Sequence, residues 1–138
     1  MIKNTAAALA LAVAMAGHAF AADLTPEQIV HRHVEAGNRG DAAAMAGDYA
    51  DDAVMLQPGQ AVQGKAAIQA AFTRLFGPGA PKLTITPIKI WSEGDVGFVS
   101  WEANGGAIKG TDDFLVRGGK ILVQAVFMGA TPAAPGKR

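Results

Sequence analysis

The sequence has no cysteine, one tyrosine, two tryptophans and two serines in 138 residues. Without cysteine there is no disulfide, no thiol nucleophile and no lipidated cysteine. Ser92 and Ser100 stand outside any Gly-x-Ser-x-Gly turn, which excludes acyl-enzyme chemistry on serine. Twelve basic residues balance twelve acidic ones. The basic residues form no stripe that would neutralise phosphates and no basic amphipathic face. Neither a nucleic-acid nor a membrane partner is therefore expected. Residues 59–66, GQAVQGKA, nearly spell a phosphate-binding loop. Ala66 replaces the hydroxyl that would hold magnesium, and no parallel strand–helix–strand unit surrounds it.

Metal ligands are equally hard to assemble. His31 and His33 are two residues apart on a helical stretch, so their side chains diverge by about 200° and cannot share one ion. Asp48, Asp51 and Asp52 lack the spacing of a calcium loop and read as a solvated acidic turn. No metal and no cofactor is expected.

The N-terminus reads as an export signal. Lys3 is the positive start, residues 5–17 are an Ala/Leu/Val run, and Ala19-Phe20-Ala21 is a small-x-small cleavage site. The run is too short to span a bilayer. Cleavage after Ala21 would leave 117 residues with 11 basic and 12 acidic side chains, located in the periplasm or secreted. That length is one domain, over residues 22–129, with a core of its own. Residues 130–138 carry two prolines and no large apolar side chain, and read as a disordered tail.

Thr25-Pro26-Glu27-Gln28 is a helix start with an N-cap, a proline at the first position and a capping-box partner. Spacing by three and four puts Ile29, Val30, His33, Val34 and Gly37 on the inward face, and His31 towards water. Asp41 caps a second, short helix with Met45 and Tyr49 inward. Residues 53–57 form a strand reversed at Pro58-Gly59, and a third helix covers 65–76 before Gly77-Pro78-Gly79 stops it. Strands follow at 82–91, 96–104, 107–117 and 120–128, with glycine-rich hairpin turns at 105–106 and 118–119. Pro87 marks an edge or a bulge. Helices followed by a long meander define an α+β domain. The last strand is apolar on both alternating sets, Ile121, Val123, Ala125 and Phe127 against Leu122, Val126 and Met128. Two apolar faces predict helices on one side and a second subunit on the other, hence a homodimer.

The runs HVEAGNRGD, YADDAV, QPG and QGKAAI, followed by DDFLVRGGKI, resemble the NTF2-like superfamily, in its SnoaL-like and ketosteroid-isomerase-like group of small exported proteins. The resemblance covers roughly residues 29–128. It implies an NTF2-like cone, with three N-terminal helices packed on a bent antiparallel sheet around an apolar pocket. In the isomerases of that group a tyrosine on the first helix and a protonated aspartate on a late strand hold an oxyanion, and an aspartate before a turn is the base. Carried over, the late-strand acid is Asp112, the tyrosine position holds His33, and the base position holds Gln57. An amide cannot abstract a proton as a carboxylate does, which puts isomerisation by that route in doubt.

Asp112 is thus either a pocket acid or a structural partner of His33, and a His33–Asp112 pair is the candidate acid–base machinery. Tyr49, Met55, Gln57, Trp101 and Phe114 are the candidate ligand contacts, with Trp91 and Phe127 as further aromatic candidates. Three functions stay open. One is binding of a small hydrophobic molecule. Another is a cofactor-independent isomerase, cyclase or dehydratase using His33 and Asp112. The last is a dimeric interaction module whose pocket is filled by its own side chains.

Overall fold

The computed structural model describes residues 23–130; the expected signal peptide and the residues after 130 lie outside them. Helix α1 spans Pro26–Asn38. Its start is the expected capping box: Thr25 Oγ1 accepts from the Gln28 N–H, and Gln28 Oε1 accepts from the Thr25 N–H at 2.9 Å. Such a cap stabilises a helix by about 1 kcal/mol. Its apolar face buries Ile29, Val30, Val34 and Ala36 with His33 among them. At the far end, the Asn38 amide both donates to and accepts from the Ile85 backbone, which ties the helix to the strand it crosses.

Helix α2, Ala42–Gly47, is a six-residue turn capped by Asp41. Strand β1 runs Tyr49–Gln57, β2 Gln60–Gln63, helix α3 Lys65–Leu75, and the remaining strands are β3 Ile85–Glu93, β4 Val96–Ala103, β5 Ile108–Arg117 and β6 Lys120–Ala130. Among the described residues two helices precede the sheet, one of them very short, and α3 enters between β2 and β3. Tyr49 opens a strand instead of closing a helix. Ala130 ends β6 and so does not begin the tail. The six strands lie in the order β2-β1-β6-β5-β4-β3. The sheet is mixed: β1 pairs with β6 in parallel, which corrects the expectation of an antiparallel sheet. Residues 58–119 separate the two strands, long enough for the chain to return in the same direction.

Pro87 lies on the edge strand beside a shift in register, where its missing N–H breaks no ladder. A second irregularity sits in the β5–β6 hairpin, where Val116 pairs with Ile121 but Leu115 pairs with Val123. Leu122 is the extra residue. It reverses the alternation, so that Ile121 and Gln124 both face the helices while Val123 and Ala125 face away. A similar slip between Tyr49 and Val54 leaves Asp51 and Asp52 exposed on an irregular stretch of strand.

The core lies between α1, α3 and the inner face of the sheet, with Ile29, Val30, Tyr49, Met55, Ile68, Val99, Phe114 and Ile121 fully buried. Each such aliphatic or aromatic side chain contributes about 1.5–3 kcal/mol of transfer free energy. Helix α1 approaches β4 closely at Gly97, where an added Cβ would stand 2.8 Å from the Val30 methyl.

Candidate functional site

Between the helices and the inner sheet face lies a cavity of about 430 Å³, with walls contributed by all three helices and by every strand. Apolar side chains such as Val34, Met45, Phe72 and Val99 dominate its lining, and a few polar groups interrupt them. Of the residues singled out in the sequence, His33, Met55, Gln57, Trp101 and Asp112 line this cavity together. Tyr49 and Phe114 are completely buried and stand outside its lining, behind it. Trp91 and Phe127 are on the opposite face of the sheet: the Trp91 ring lies 3.9 Å from that of Phe98, tilted by 42°, and Phe127 is 60% exposed. In β6 the bulge at Leu122 turns Val126 and Met128, not Phe127, towards the cavity.

The polar end of the cavity is a directional chain of hydrogen bonds. Trp101 Nε1 donates to Asp112 Oδ1 at 3.0 Å, and Gln124 Nε2 donates to Asp112 Oδ2 at 2.9 Å. The Tyr49 hydroxyl donates to Gln124 Oε1. An indole can only donate, so Asp112 accepts there. With its NH₂ turned to Asp112, Gln124 offers its oxygen to Tyr49. Gly110 makes room for the indole, since a Cβ there would stand 2.3 Å from Trp101 Cζ2.

Burial pushes the Asp112 carboxyl above its ordinary range, against the lowering effects of the Trp101 donor, the nearby His33 and the Gln124 donor, while Asp113 adds to the rise. Burial, and then the charges of Asp112 and Asp48, push the Tyr49 phenol well above its usual value. Tyr49 thus stays a donor, and Asp112 can hold a proton that it would donate to an oxygen in the cavity.

His33 is 3% exposed. Its ring meets Tyr49, Phe72 and Phe114 edge-on, with centroids 5.4 to 5.7 Å away. It makes no hydrogen bond to Asp112, whose two oxygens are engaged by Trp101 and Gln124. The carboxylate beside His33 is Asp48, with Oδ2 3.7 Å from Nδ1. Asp48 is 2% exposed and ion-paired through Oδ1 with Arg32, which corrects its reading as part of a solvated turn. It follows α2 directly, and its carbonyl accepts the Ile121 N–H at 2.8 Å, so the chain turns inward there before Asp51 and Asp52 emerge. Gln57 sits half-buried at the rim, its oxygen accepting from Gln60 Nε2 at 3.1 Å.

Two residues of this site escaped the sequence reading. Gln124 is the one polar side chain inside the apolar run ILVQAVFM, and that interruption was the available signal. Asp48 had none, because an acidic cluster beside a short helix usually faces water.

An inner sheet face closed by helices over a cavity with a late-strand acid places the molecule among NTF2-like folds, and solved structures agree. An NTF2-like protein of unknown function from Burkholderia xenovorans superposes with a TM-score of 0.65 at 26% identity, covering 78% of this chain and 85% of that one. SalBIII, an epoxide hydrolase/cyclase-like enzyme in pyran ring formation in the polyether salinomycin, gives 0.64 at 22%, covering 75% and 90%. A Catenulispora acidiphila protein with a ketosteroid isomerase-like fold, in complex with trimethylamine, gives 0.63 at 18%, covering 75% and 86%. The family model of the SnoaL-like domain matches residues 30–124, and the chain belongs to that family. No curated protein matches it significantly by sequence.

Proposed function

We propose that this is an exported SnoaL-like protein, processed after Ala21, that binds a small hydrophobic molecule bearing a hydrogen-bonding oxygen. The observation that carries this reading is the cavity itself: about 430 Å³, apolar around its walls, with Asp112, Gln124 and Trp101 linked at one end. Ligand sites have about this size, about 300–1,000 Å³, and the same mixture of apolar wall and few placed polar groups. An open cavity also speaks against an interaction module whose pocket is filled by its own side chains. Native mass spectrometry of the protein from its own host's periplasm tests the reading. One small molecule per subunit, and a mass that begins at Ala22, is the expected result. Empty protein that takes up no apolar probe would refute it.

A catalytic reading, as a cofactor-independent isomerase, cyclase or dehydratase, has one observation in its favour. His33 lines the same cavity as Asp112, and both its ring nitrogens lack hydrogen-bond partners. A base and a protonated acid on one cavity can move a proton on and off carbon or oxygen. His33→Ala and Asp112→Asn should each abolish turnover of the co-purifying compound; unchanged rates in both would end this reading.

The outer sheet face supports a homodimer. Cross-strand pairing aligns Leu56, Ala125, Asp113, Phe98 and Trp91 in one row and Val54, Val123, Leu115, Val96 and Glu93 in the next. Leu56, Trp91, Val96 and Phe127 are exposed on this face, apolar side chains of the kind that subunits cover, with Asp113 and Glu93 among them. Sedimentation velocity should give twice the subunit mass.

A further inference from the structure

We propose that Asp48, held in place by Arg32, is the positioning residue for His33: it fixes the proton of the neutral imidazole on Nδ1 and leaves Nε2 as the bare, proton-accepting nitrogen. The inference rests on the reading of His33 as the proton-accepting group of the site. Among the described residues, three buried side-chain atoms have no hydrogen-bond partner, namely His33 Nδ1, His33 Nε2 and Asp48 Oδ2. Two of them face each other across 3.7 Å. A buried carboxylate oxygen without a donor costs about 1–3 kcal/mol or more, so a small rotation that closes this gap is favourable. Hydrogen bonds of such groups are often long before a ligand is bound.

Other polar groups around the ring already have partners. The Tyr49 hydroxyl donates to Gln124, both Asp112 oxygens take donors from Trp101 and Gln124, and Phe72 and Phe114 offer only ring edges. The charged groups near the ring are Asp48 with its Arg32 partner and Asp112. Arg32 is a donor-only group and pins Oδ1, which leaves Oδ2 aimed at His33. Phe114, Phe72 and Tyr49 hold the plane of the ring by packing, and Asp48 decides which nitrogen carries the proton. An orienting carboxylate on the far nitrogen is what such a base requires.

The test is the tautomer of His33, read by long-range proton–nitrogen correlation spectra of the ¹⁵N-histidine-labelled protein at a pH where the ring is neutral. His31→Gln assigns the signals. The expected spectrum has a protonated Nδ1 and a bare Nε2. In Asp48→Asn, Arg32 keeps the amide oxygen, the NH₂ group faces Nδ1, and the tautomer should invert. Arg32→Gln changes a side chain that is nearly half exposed, and should lower the Nδ1–H population without unfolding the protein. A wild-type His33 protonated on Nε2, or mixed like a solvated histidine, overturns the proposal even if Asp48→Asn fails to fold. So does an unchanged tautomer in Asp48→Asn. The functional reading fails separately: a fixed Nδ1–H tautomer together with a His33→Ala protein that still retains and turns over the co-purifying molecule refutes the role of His33 and leaves its positioning intact.

Discussion

Trp101→Phe removes one buried donor and keeps an aromatic ring in its place. The indole N–H is 3.0 Å from Asp112 Oδ1, and Gln124 remains on the other oxygen. A hydrogen bond to a charged group contributes about 1.5–3 kcal/mol and one between neutral groups about 0.5–1.5 kcal/mol. The variant should therefore lose about 1–1.5 kcal/mol more where Asp112 is ionised than where it is protonated, on top of a pH-independent packing cost. The direction follows from linkage. Burial holds the folded-state pKa of Asp112 above its unfolded value. The stability this contributes is full below the unfolded pKa and is lost as pH rises through the folded one. The Trp101 donor lowers that folded value, so its removal raises it further, and the variant goes on losing stability to higher pH than the wild type. Urea denaturation followed by far-ultraviolet circular dichroism, from about pH 4 to about pH 9, reads the difference directly. A loss that is constant across this range, or greatest in acid, would refute the assignment of Trp101 to the Asp112 carboxylate.

Three further outcomes are expected. Gly110→Ala puts a Cβ 2.3 Å from the Trp101 ring and 2.7 Å from the Phe127 carbonyl oxygen, and should destabilise by about 1–3 kcal/mol with a changed tryptophan emission; wild-type stability would contradict that contact. Gln124→Leu strands both Asp112 Oδ2 and the Tyr49 hydroxyl, and should cost about 2–4 kcal/mol in the same denaturation assay, whereas a loss under about 1 kcal/mol would mean that the chain of hydrogen bonds is not holding the cavity wall. Phe98→Arg, on the outer sheet face beside Trp91, should give a folded monomer by sedimentation velocity; a dimer of unchanged affinity would put the subunit contact elsewhere.

Local chemistry was enough for much of the molecule. The Thr25–Gln28 capping box, the inward stripe of α1 and the hairpin glycines are decided within a few residues, and each lies where its pattern puts it. His33 was legible as an inward residue because helical spacing is rigid. The facing of β6 was not. Its run is apolar on both sides, so alternation alone had no phase, and one extra residue at Leu122 turned Gln124 inward and Phe127 outward.

The sequence by itself therefore determined the α+β class, the SnoaL-like family and the helix face that carries His33, because these rest on local periodicity and on motif runs that survive without contacts. Only the tertiary structure decided which polar groups meet. Trp101, Asp112, Gln124 and Tyr49 come from four strands, and Arg32, His33 and Asp48 join a helix to the residue that follows a six-residue turn. A hydrogen-bond partner far along the chain is chosen by strand register and by bulges, and a bulge at Leu122 has no signature in a run of Ile, Leu and Val. The same reason explains Asp48: whether a carboxylate near a helix end meets water or a buried imidazole depends on what packs against it.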